Sequence, residues 1–321
     1  MSGETTRGER IPAAIVGLGR IASLLEDDAL REKPCTHAGA VTASKDLVLV
    51  AGADTSGERR RLFAERWGVP VYEDAAAMLR EQRPALLHIA THPDSHLRYC
   101  RLAADMGVGV AVCEKPLAES LSGARKIAAL EKGGSFRIIT NHERRYSADY
   151  LEAEKLLREE RLGPLLSVKA ALYMGSRRLI DVLWHDGTHL VDAMMFLTGA
   201  APRHQKRWGA RLSSSSGTAW LAGLLRPASY AEPVPFLIEV GAGRDHLVFE
   251  LDFSCARGRL RIGNGIFEVW ESAASPYAEN FRSLAKTREG FGGPTGYFAN
   301  MAAEAAACVR DPSLRPRSSA G

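Results

Sequence analysis

Between residues 11 and 140 the chain repeats one pattern: a short apolar run with almost no polar alternation, then a longer amphipathic stretch. The runs at 11–16, 47–53, 85–90, 108–113 and 136–140 are rich in Val, Ile, Leu and Ala, as strands covered on both faces are. The stretches at 57–67, 74–82, 95–106 and 120–132 carry helical period. Strands separated by helices in this way are βαβ units, and their sheet is parallel, because a parallel neighbour is reached only through a long crossover. Gly68, Gly107 and Gly133 follow three of the helices, where a left-handed residue closes the last turn.

Beyond residue 140 the pattern changes. Helical stretches at 147–161 and 184–197 flank one strand at 166–174, and strands follow near 218–225, 236–241, 247–251, 257–262 and 266–271. Ala242-Gly243 and Asn264-Gly265 read as hairpin turns. Consecutive strands joined by short turns give an antiparallel sheet. A last helix near 297–309 has the option of returning to the first domain, and the serine loop 213–216 is the one biased tract. At 321 residues the chain suits about two domains, expected at 1–140 and 141–321.

Composition removes several classes. With 45% hydrophobic and 25% charged residues, usage is ordinary for a globular protein, which excludes a collagen, a disordered tail and a small disulfide scaffold. The formal charge is +4 and the basic residues are spread along the chain, so no nucleic-acid partner is expected. Cys35, Cys100, Cys113, Cys255 and Cys308 are odd in number and widely spaced, without a C-x-x-C pair. Neither a disulfide framework nor a metal site is expected, and a reducing compartment fits. The polar start 1–10 leads into the run 11–16, too short for a membrane span or a signal core. The expectation is a soluble cytoplasmic protein with no membrane partner.

Gly17-Leu18-Gly19-Arg20-Ile21-Ala22 follows the first run and matches G-x-G-x-x-A. Such a loop lets backbone approach a pyrophosphate, whose charge meets the free N–H groups opening the next helix. Gly17, Gly19, Arg20, Ile21 and Ala22 are therefore candidate cofactor contacts. Asp54 ends the second run. A carboxylate there either accepts hydrogen bonds from both ribose hydroxyls and repels a 2′-phosphate, or caps the next helix. The first role favours NAD, while Arg59 and Arg60 just beyond leave NADP open. Gly17 and Asp54 lie 37 positions apart against a usual spacing of about 20. An insertion, the charged stretch 26–34, therefore interrupts the first βα unit, and His37 beyond it is a candidate neighbour of the cofactor. The expected fold class is α/β: a Rossmann-type parallel-sheet nucleotide domain, followed by an α+β domain with an open, mainly antiparallel sheet.

Three further segments carry a resemblance. Thr91-His92-Pro93-Asp94-Ser95-His96 follows the third run, Val112-Cys113-Glu114-Lys115-Pro116 ends the fourth, and Trp184-His185-Asp186-Gly187-Thr188-His189-Leu190-Val191-Asp192 opens a helix in the second half. With the glycine loop these resemble the Gfo/Idh/MocA family, the group of glucose-fructose oxidoreductase and inositol dehydrogenase, across residues 11–310. The resemblance implies a nucleotide domain followed by an α+β domain whose open sheet carries substrate contacts and the interface of a homodimer or homotetramer. It implies hydride exchange between nicotinamide and a secondary alcohol or ketone of a sugar, cyclitol or sugar derivative. The family's catalytic lysine falls on Lys115 and its helix histidine on His189. Pro93 and His96 match the segment beside the nicotinamide, and Thr91, Glu114 and Lys115 join the expected cofactor contacts. The family's acid four residues before the helix histidine is replaced here by His185.

Oxidising a C–OH group removes a hydroxyl proton while hydride leaves carbon, which requires a base within about 3 Å of the oxygen. An amine at the cofactor end of a strand suits this role, because desolvation and a positive nicotinamide both disfavour its ammonium form. The other reading of Lys115 is a partner of Glu114 or a side chain reaching to solvent. His189 either relays the proton, hydrogen-bonds the reacting oxygen, or is structural. On a regular helix 185, 189 and 192 share a face, while adjacent residues point about 100° apart. The carboxylate partner of His189 is then either Asp192 or an Asp186 turned inward by a late helix start. Hydride chemistry requires no metal, so His185, His189 and Asp192 are not read as ligands. Asn141, Arg144, Arg145 and Tyr146 fall where the first domain hands over to the second, near the expected substrate cleft, and Arg177 and Arg178 precede the His189 helix. Each arginine either grips an anionic group or makes an internal ion pair. Asn141, Arg145, Tyr146, Arg177, His185 and Asp186 are the candidate substrate contacts.

Two other classes stay open. One is a noncatalytic nucleotide-binding sensor or regulatory subunit of the same fold, motivated by His185 in the acid's place. The other is different chemistry on a tightly held cofactor, in which transient oxidation is followed by elimination or hydrolysis.

Overall fold

The computed structural model describes residues 9–201, 206–213, 217–227, 230 and 232–319. The starting residues 1–8 and most of the serine loop, 214–216, lie outside them. The chain forms two compact units, one running to Ser147 and resuming at Thr295, the other Ala148–Pro294.

In the first unit β1 (Ile11–Val16), β2 (Leu47–Ala53), β3 (Val71–Tyr72), β4 (Leu86–Ile89), β5 (Val110–Cys113) and β6 (Arg137–Thr140) form a parallel sheet in the order β3-β2-β1-β4-β5-β6. The winding reverses between β1 and β4, and doubly wound sheets open a crevice at such a point, outside the carboxyl ends of the strands. The helices of this part are α1 (His37–Ala43), α2 (Gly57–Trp67), α3 (Ala75–Gln82), α4 (Pro93–Asp105) and α5 (Leu121–Ala128). Ile11, Ala13 and Ile15 of β1 pack in one core with residues of α1 and α2, whereas Ala14 and Val16 pack in another with residues of α3, α4 and α5. Both faces are dry, which is why the strand sequences lack polar alternation.

Helix ends follow local chemistry. Ser56, Asp74 and Ser120 accept the N–H groups of Arg59, Ala76 and Gly123 at the starts of α2, α3 and α5. Gly68 and Gly107 are left-handed as expected. Gly133 is not: α5 tightens into a 3₁₀ segment, Ala129–Gly133, and Gly134 (φ 77°) takes the left-handed place instead.

The glycine loop does not open a continuous helix, contrary to expectation. One helical turn, closed by the Leu25 N–H on the Arg20 carbonyl at 2.9 Å, leads into a 3₁₀ segment at Leu24–Asp27 and an excursion through Pro34. α1 begins at His37, yet the N–H groups of His37 and Ala38 reach back to the carbonyls of Ile21 and Ala22 at 3.1 and 2.9 Å. The insertion is therefore looped out between two hydrogen-bonded pieces. Glu26 pins it, accepting the Thr36 hydroxyl at 2.6 Å and lying where a Cβ on Gly39 would stand 2.4 Å from its Oε2.

The second unit has α6 (Ala148–Arg158), α7 (Leu179–Asp181), α8 (Gly187–Thr198) and an eight-stranded sheet. Its strands are β7 (Leu165–Tyr173), β8 (Lys206–Ser213), β9 (Thr218–Leu225), β10 (Val234–Gly241), β11 (Val248–Cys255), β12 (Gly258–Gly263), β13 (Ile266–Ala274) and β14 (Arg282–Glu289), in the order β14-β13-β12-β11-β7-β10-β9-β8. Every pair is antiparallel except β7 with β10. Ala242-Gly243 is accordingly not a hairpin, because the chain passes from β10 across β7 to reach β11. Asn264-Gly265 does close a hairpin, between β12 and β13, with Gly265 at φ 75°. Val168, Phe236, Ile238, Phe249, Leu251 and Phe253 form the inner face and pack with Tyr150, Leu157, Leu190 and Met194 of α6 and α8. The outer face is ionic: Arg259 pairs with Asp252, Arg261 with Glu250 and Glu268, and Lys286 with Glu268.

α9 (Tyr297–Arg310) belongs again to the first unit, where Phe298, Met301, Ala302 and Ala305 enter the core of α1 and β1. The Asn300 amide donates to the Tyr146 carbonyl at 2.9 Å, and the Ser318 hydroxyl donates to the Thr140 carbonyl at 2.6 Å beside β6. Residues 141–147 and the tail thus pack with the first unit, where one boundary at 140/141 is expected from sequence. Among the described residues no helix is long and apolar enough to cross a membrane.

Candidate active site

The carboxyl ends of the parallel strands bring together most of the residues singled out in the first unit. Gly17 follows β1, Asp54 follows β2, Thr91 comes two residues after β4, Glu114 and Lys115 follow β5, and Asn141 follows β6. Gly17 has φ 83°, and a Cβ there would meet the Ala90 carbonyl oxygen at 2.6 Å and the Thr91 methyl at 2.7 Å. Only glycine lets the two sides of the switch point approach so closely. Among the described residues none accepts a hydrogen bond from the backbone N–H groups of Gly19, Arg20, Ile21 or Ala22. Four consecutive donors at the start of a helical turn are an anion cradle, and they fit the diphosphate of a dinucleotide.

Asp54 is buried, and its carboxylate is the hub of this end. It accepts the Leu18 N–H and the Ser56 N–H, both at 2.8 Å, and pairs with Arg59 at 3.5 Å. It thus ties the glycine loop to the start of α2, and a carboxylate's lone pairs still leave room for a further donor. Arg59 is half exposed and its guanidinium comes within 4.0 Å of the Cβ position of Gly19. Arg60 turns away, donating to the Asp54 and Thr55 carbonyls and pairing with Glu73 at 3.2 Å.

On the other side of the switch point Pro93 opens α4, and the Ser95 hydroxyl donates to the Thr91 hydroxyl at 2.7 Å. His96 is fully buried, with its two ring nitrogens at the carbonyls of Leu117 (3.2 Å) and Thr91 (3.1 Å). It joins two loops of the wall and presents no exposed atom to a ligand.

Behind Lys115 lies a buried polar cluster. Glu114 Oε1 contacts His37 Nε2 at 3.0 Å and accepts the Asn141 amide at 2.6 Å, while Oε2 accepts the Lys115 N–H at 3.3 Å. His37 Nδ1 in turn lies 2.9 Å from His88 Nδ1. Burial raises the Glu114 carboxyl, but the His37 contact and field, the Asn141 amide and the nearby Lys115 charge outweigh it and hold the group below its ordinary value. Burial, and then the neighbouring His37, hold His88 well below the usual histidine range, so it is neutral. His88 was not among the expected site residues. Its signal in the sequence is a histidine within an otherwise apolar parallel strand, since a buried polar group requires a partner.

The remaining candidates divide between the units. In the first, Tyr146 is 1% exposed and sits in the core, not on a substrate surface. Arg144 pairs with Glu143, and Arg145 donates to the Arg317 carbonyl at 3.0 Å. In the second, the segment before α8 is a π-helical turn, Val182–Asp186, that changes the helical register. Arg177 and Asp186 are brought together as an ion pair at 2.8 Å, and Arg178 pairs with Asp181. His185 is exposed, Asp192 is half-buried, and His189 is buried in the first turn of α8.

Residues 11–142 match the family described as oxidoreductase family, NAD-binding Rossmann fold (Gfo/Idh/MocA). A D-apiose dehydrogenase from Paraburkholderia graminis is 28% identical over 218 residues, covering 63% of this chain and 54% of that protein. An inositol 2-dehydrogenase from Rubrobacter xylanophilus is 26% identical over 175 residues, covering 54% of this chain and 46% of its own length. The chain thus spans about half the length of these curated relatives. The crystal structure of the WlbA dehydrogenase from Chromobacterium violaceum, in complex with NADH and UDP-GlcNAcA, shares the fold with a TM-score of 0.72 at 14% identity, covering 100% of this chain and 90% of that one.

Proposed function

We propose that the chain, whose residues 11–142 match the Gfo/Idh/MocA oxidoreductase family, is a member of that family and an NAD(P)-dependent dehydrogenase or reductase acting on a secondary alcohol or ketone of a sugar, cyclitol or sugar derivative. The observation that carries this reading is the anion cradle of Gly19 to Ala22 on the same strand ends as Asp54 and Lys115. A bound nicotinamide dinucleotide supplies the hydride acceptor or donor. The chain's own residues do the rest. The N–H groups of Gly19, Arg20, Ile21 and Ala22 would hold the diphosphate, and Asp54 would accept a ribose hydroxyl and disfavour a 2′-phosphate, so NAD is the cofactor of this proposal. Lys115 is the acid/base group that exchanges the hydroxyl proton, with His189 as its partner, and Arg177 and His185 belong to the substrate side.

A homodimer or homotetramer formed through the ionic outer face of the second sheet belongs to the same reading, as does a cytoplasmic location, where five buried free thiols stay reduced. The test is a dehydrogenase assay with NAD⁺ and a panel of polyols that includes D-apiose and myo-inositol. Lys115→Ala is expected to lower kcat by about 10²-fold or more, the usual scale of general acid–base catalysis. Equal turnover with and without the amine would end the assignment. One rival is a noncatalytic nucleotide-binding sensor, favoured by the pairing of Arg177 at 2.8 Å with Asp186, the carboxylate three positions before the helix histidine in sequence. NADH binding without turnover of any polyol is that rival's signature.

A further inference from the structure

His37 of α1, His88 of β4, Glu114 just after β5 and Asn141 just after β6 are 0%, 0%, 7% and 1% exposed. Leaving a buried polar group unpaired is costly, and an apolar side chain at position 88 would avoid that cost, since Leu86, Leu87 and Ile89 around it are all buried. The polar chain therefore calls for a role beyond packing.

Its proton positions follow from its partners. Glu114 is ionised and accepts at Oε1, so His37 Nε2 carries a proton and donates to it. Between the two Nδ1 atoms one nitrogen donates and the other accepts. If His37 donated, the proton of neutral His88 would sit on its Nε2, which is fully buried and has no hydrogen-bond partner among the described residues. Orphaned buried N–H groups are rarer than under-satisfied acceptors, so His88 Nδ1–H is the donor and its Nε2 keeps a bare lone pair. The hydrogen bonds then run one way, from His88 to His37 to Glu114, with the Asn141 amide and the Lys115 backbone N–H as further donors to the same carboxylate. The far end is closed by protein, which suits a support better than a proton exit. Phe298 of α9 stands edge-on to the His37 ring at 5.4 Å and limits its rotation.

We propose that His37 and His88 are positioning residues for Lys115: they lock the rotamer of Glu114, whose carboxylate holds the Lys115 backbone and so sets the direction of its amine. This rests on Lys115 as the acid/base group, and it adds two residues that touch neither cofactor nor substrate.

Two measurements test it without turnover. Imidazole ¹⁵N spectra of the intact protein at neutral pH are expected to show His88 protonated at Nδ1 and bare at Nε2, and His37 protonated at Nε2. A protonated His88 Nε2 would overturn the chain. Reductive ¹³C-methylation gives each lysine amine a signal, and Lys115→Arg identifies that of residue 115. This signal is expected to shift in His37→Leu and to return in His37→Gln, whose amide can still donate to Glu114. An unmoved signal in His37→Leu would overturn the proposal. Should His37→Leu not fold, His88→Ala removes only the far end of the chain and carries the same readout. If Lys115→Ala leaves hydride transfer intact, the functional assignment falls, while these spectra still report on the support.

Discussion

His37 and His88 face each other through their Nδ1 atoms at 2.9 Å, one from the helix beyond the insertion and one from the middle of a parallel strand, and neither ring is exposed. A histidine in that setting is a stability switch. In the unfolded chain His88 binds a proton below the ordinary histidine value of about 6.5, and the native interior disfavours it. The unfolded state thus binds more protons below that value, and stability falls as pH drops from about 7 towards 5. One such group contributes up to about 1.4 kcal/mol per pH unit. Glu114 is lowered from an already acidic value, so its contribution is present across this window and lost only at lower pH. Urea midpoints at two pH values should therefore show a shallower slope in His88→Leu than in the parent. Equal slopes would show that His88 is not buried neutral.

The two glycines of the loop are expected to separate folding from binding. Gly17→Ala places a Cβ at 2.6 Å from a carbonyl oxygen on a positive φ and should lose about 1–3 kcal/mol of stability as well as NADH affinity. Gly19→Ala meets nothing closer than 3.9 Å, so its melting temperature should stay near the parent's while NADH binding, read by fluorescence titration, weakens about tenfold, or roughly 1.4 kcal/mol. Parental affinity in Gly19→Ala would remove the diphosphate from that loop.

Asp54 and Arg59, which lie 3.5 Å apart, are the residues proposed to set cofactor choice. NADH is expected to bind at least about tenfold more tightly than NADPH, a difference of roughly 1.4 kcal/mol. Asp54→Asn should narrow that ratio by removing the charge that opposes a 2′-phosphate. Arg59→Ala should widen it by removing the cation beside the loop. A ratio that ignores both substitutions would place the adenosine ribose elsewhere.

Phe298→Ala is expected to destabilise the protein by about 3–5 kcal/mol, the usual cost of deleting a buried aromatic ring. Chemical denaturation measures it. A loss below about 1 kcal/mol would mean that α9 contributes little to the first core, against its burial at 1% exposure.

The sheet of the first unit was legible because strands buried on both faces must be uniformly apolar, and α2 matches its expected span, residues 57–67, at both ends. β14 was not, because an edge strand such as Arg-Ser-Leu-Ala-Lys-Thr-Arg-Glu packs no core face and carries charges that discourage pairing with another sheet. β3 is two residues long and leaves no period to read. The position of the glycine loop and of Asp54 at the carboxyl ends of two strands was readable from the apolar runs before them. The contact between His37 and His88 was not, since it joins residues 51 positions apart through an insertion whose closure onto Ile21 and Ala22 depends on backbone hydrogen bonds. Tyr146 misled for the opposite reason: it stands at a domain hand-over in sequence, yet α9 returns to cover it.

The first unit leaves off at Ser147 and resumes at Thr295, with the Tyr146 carbonyl held by the Asn300 amide. Its two loose ends are thus neighbours, and the intervening sheet is a guest spliced into a loop of its host. A fragment cut at Ser147 would lack the helix that seals its own core and should precipitate, whereas a fragment in which a short linker replaces the guest keeps every layer. Modularity in this molecule follows folded layers and not stretches of sequence, so any exchange of the guest for another, in the laboratory or over generations, must cut the chain at two places.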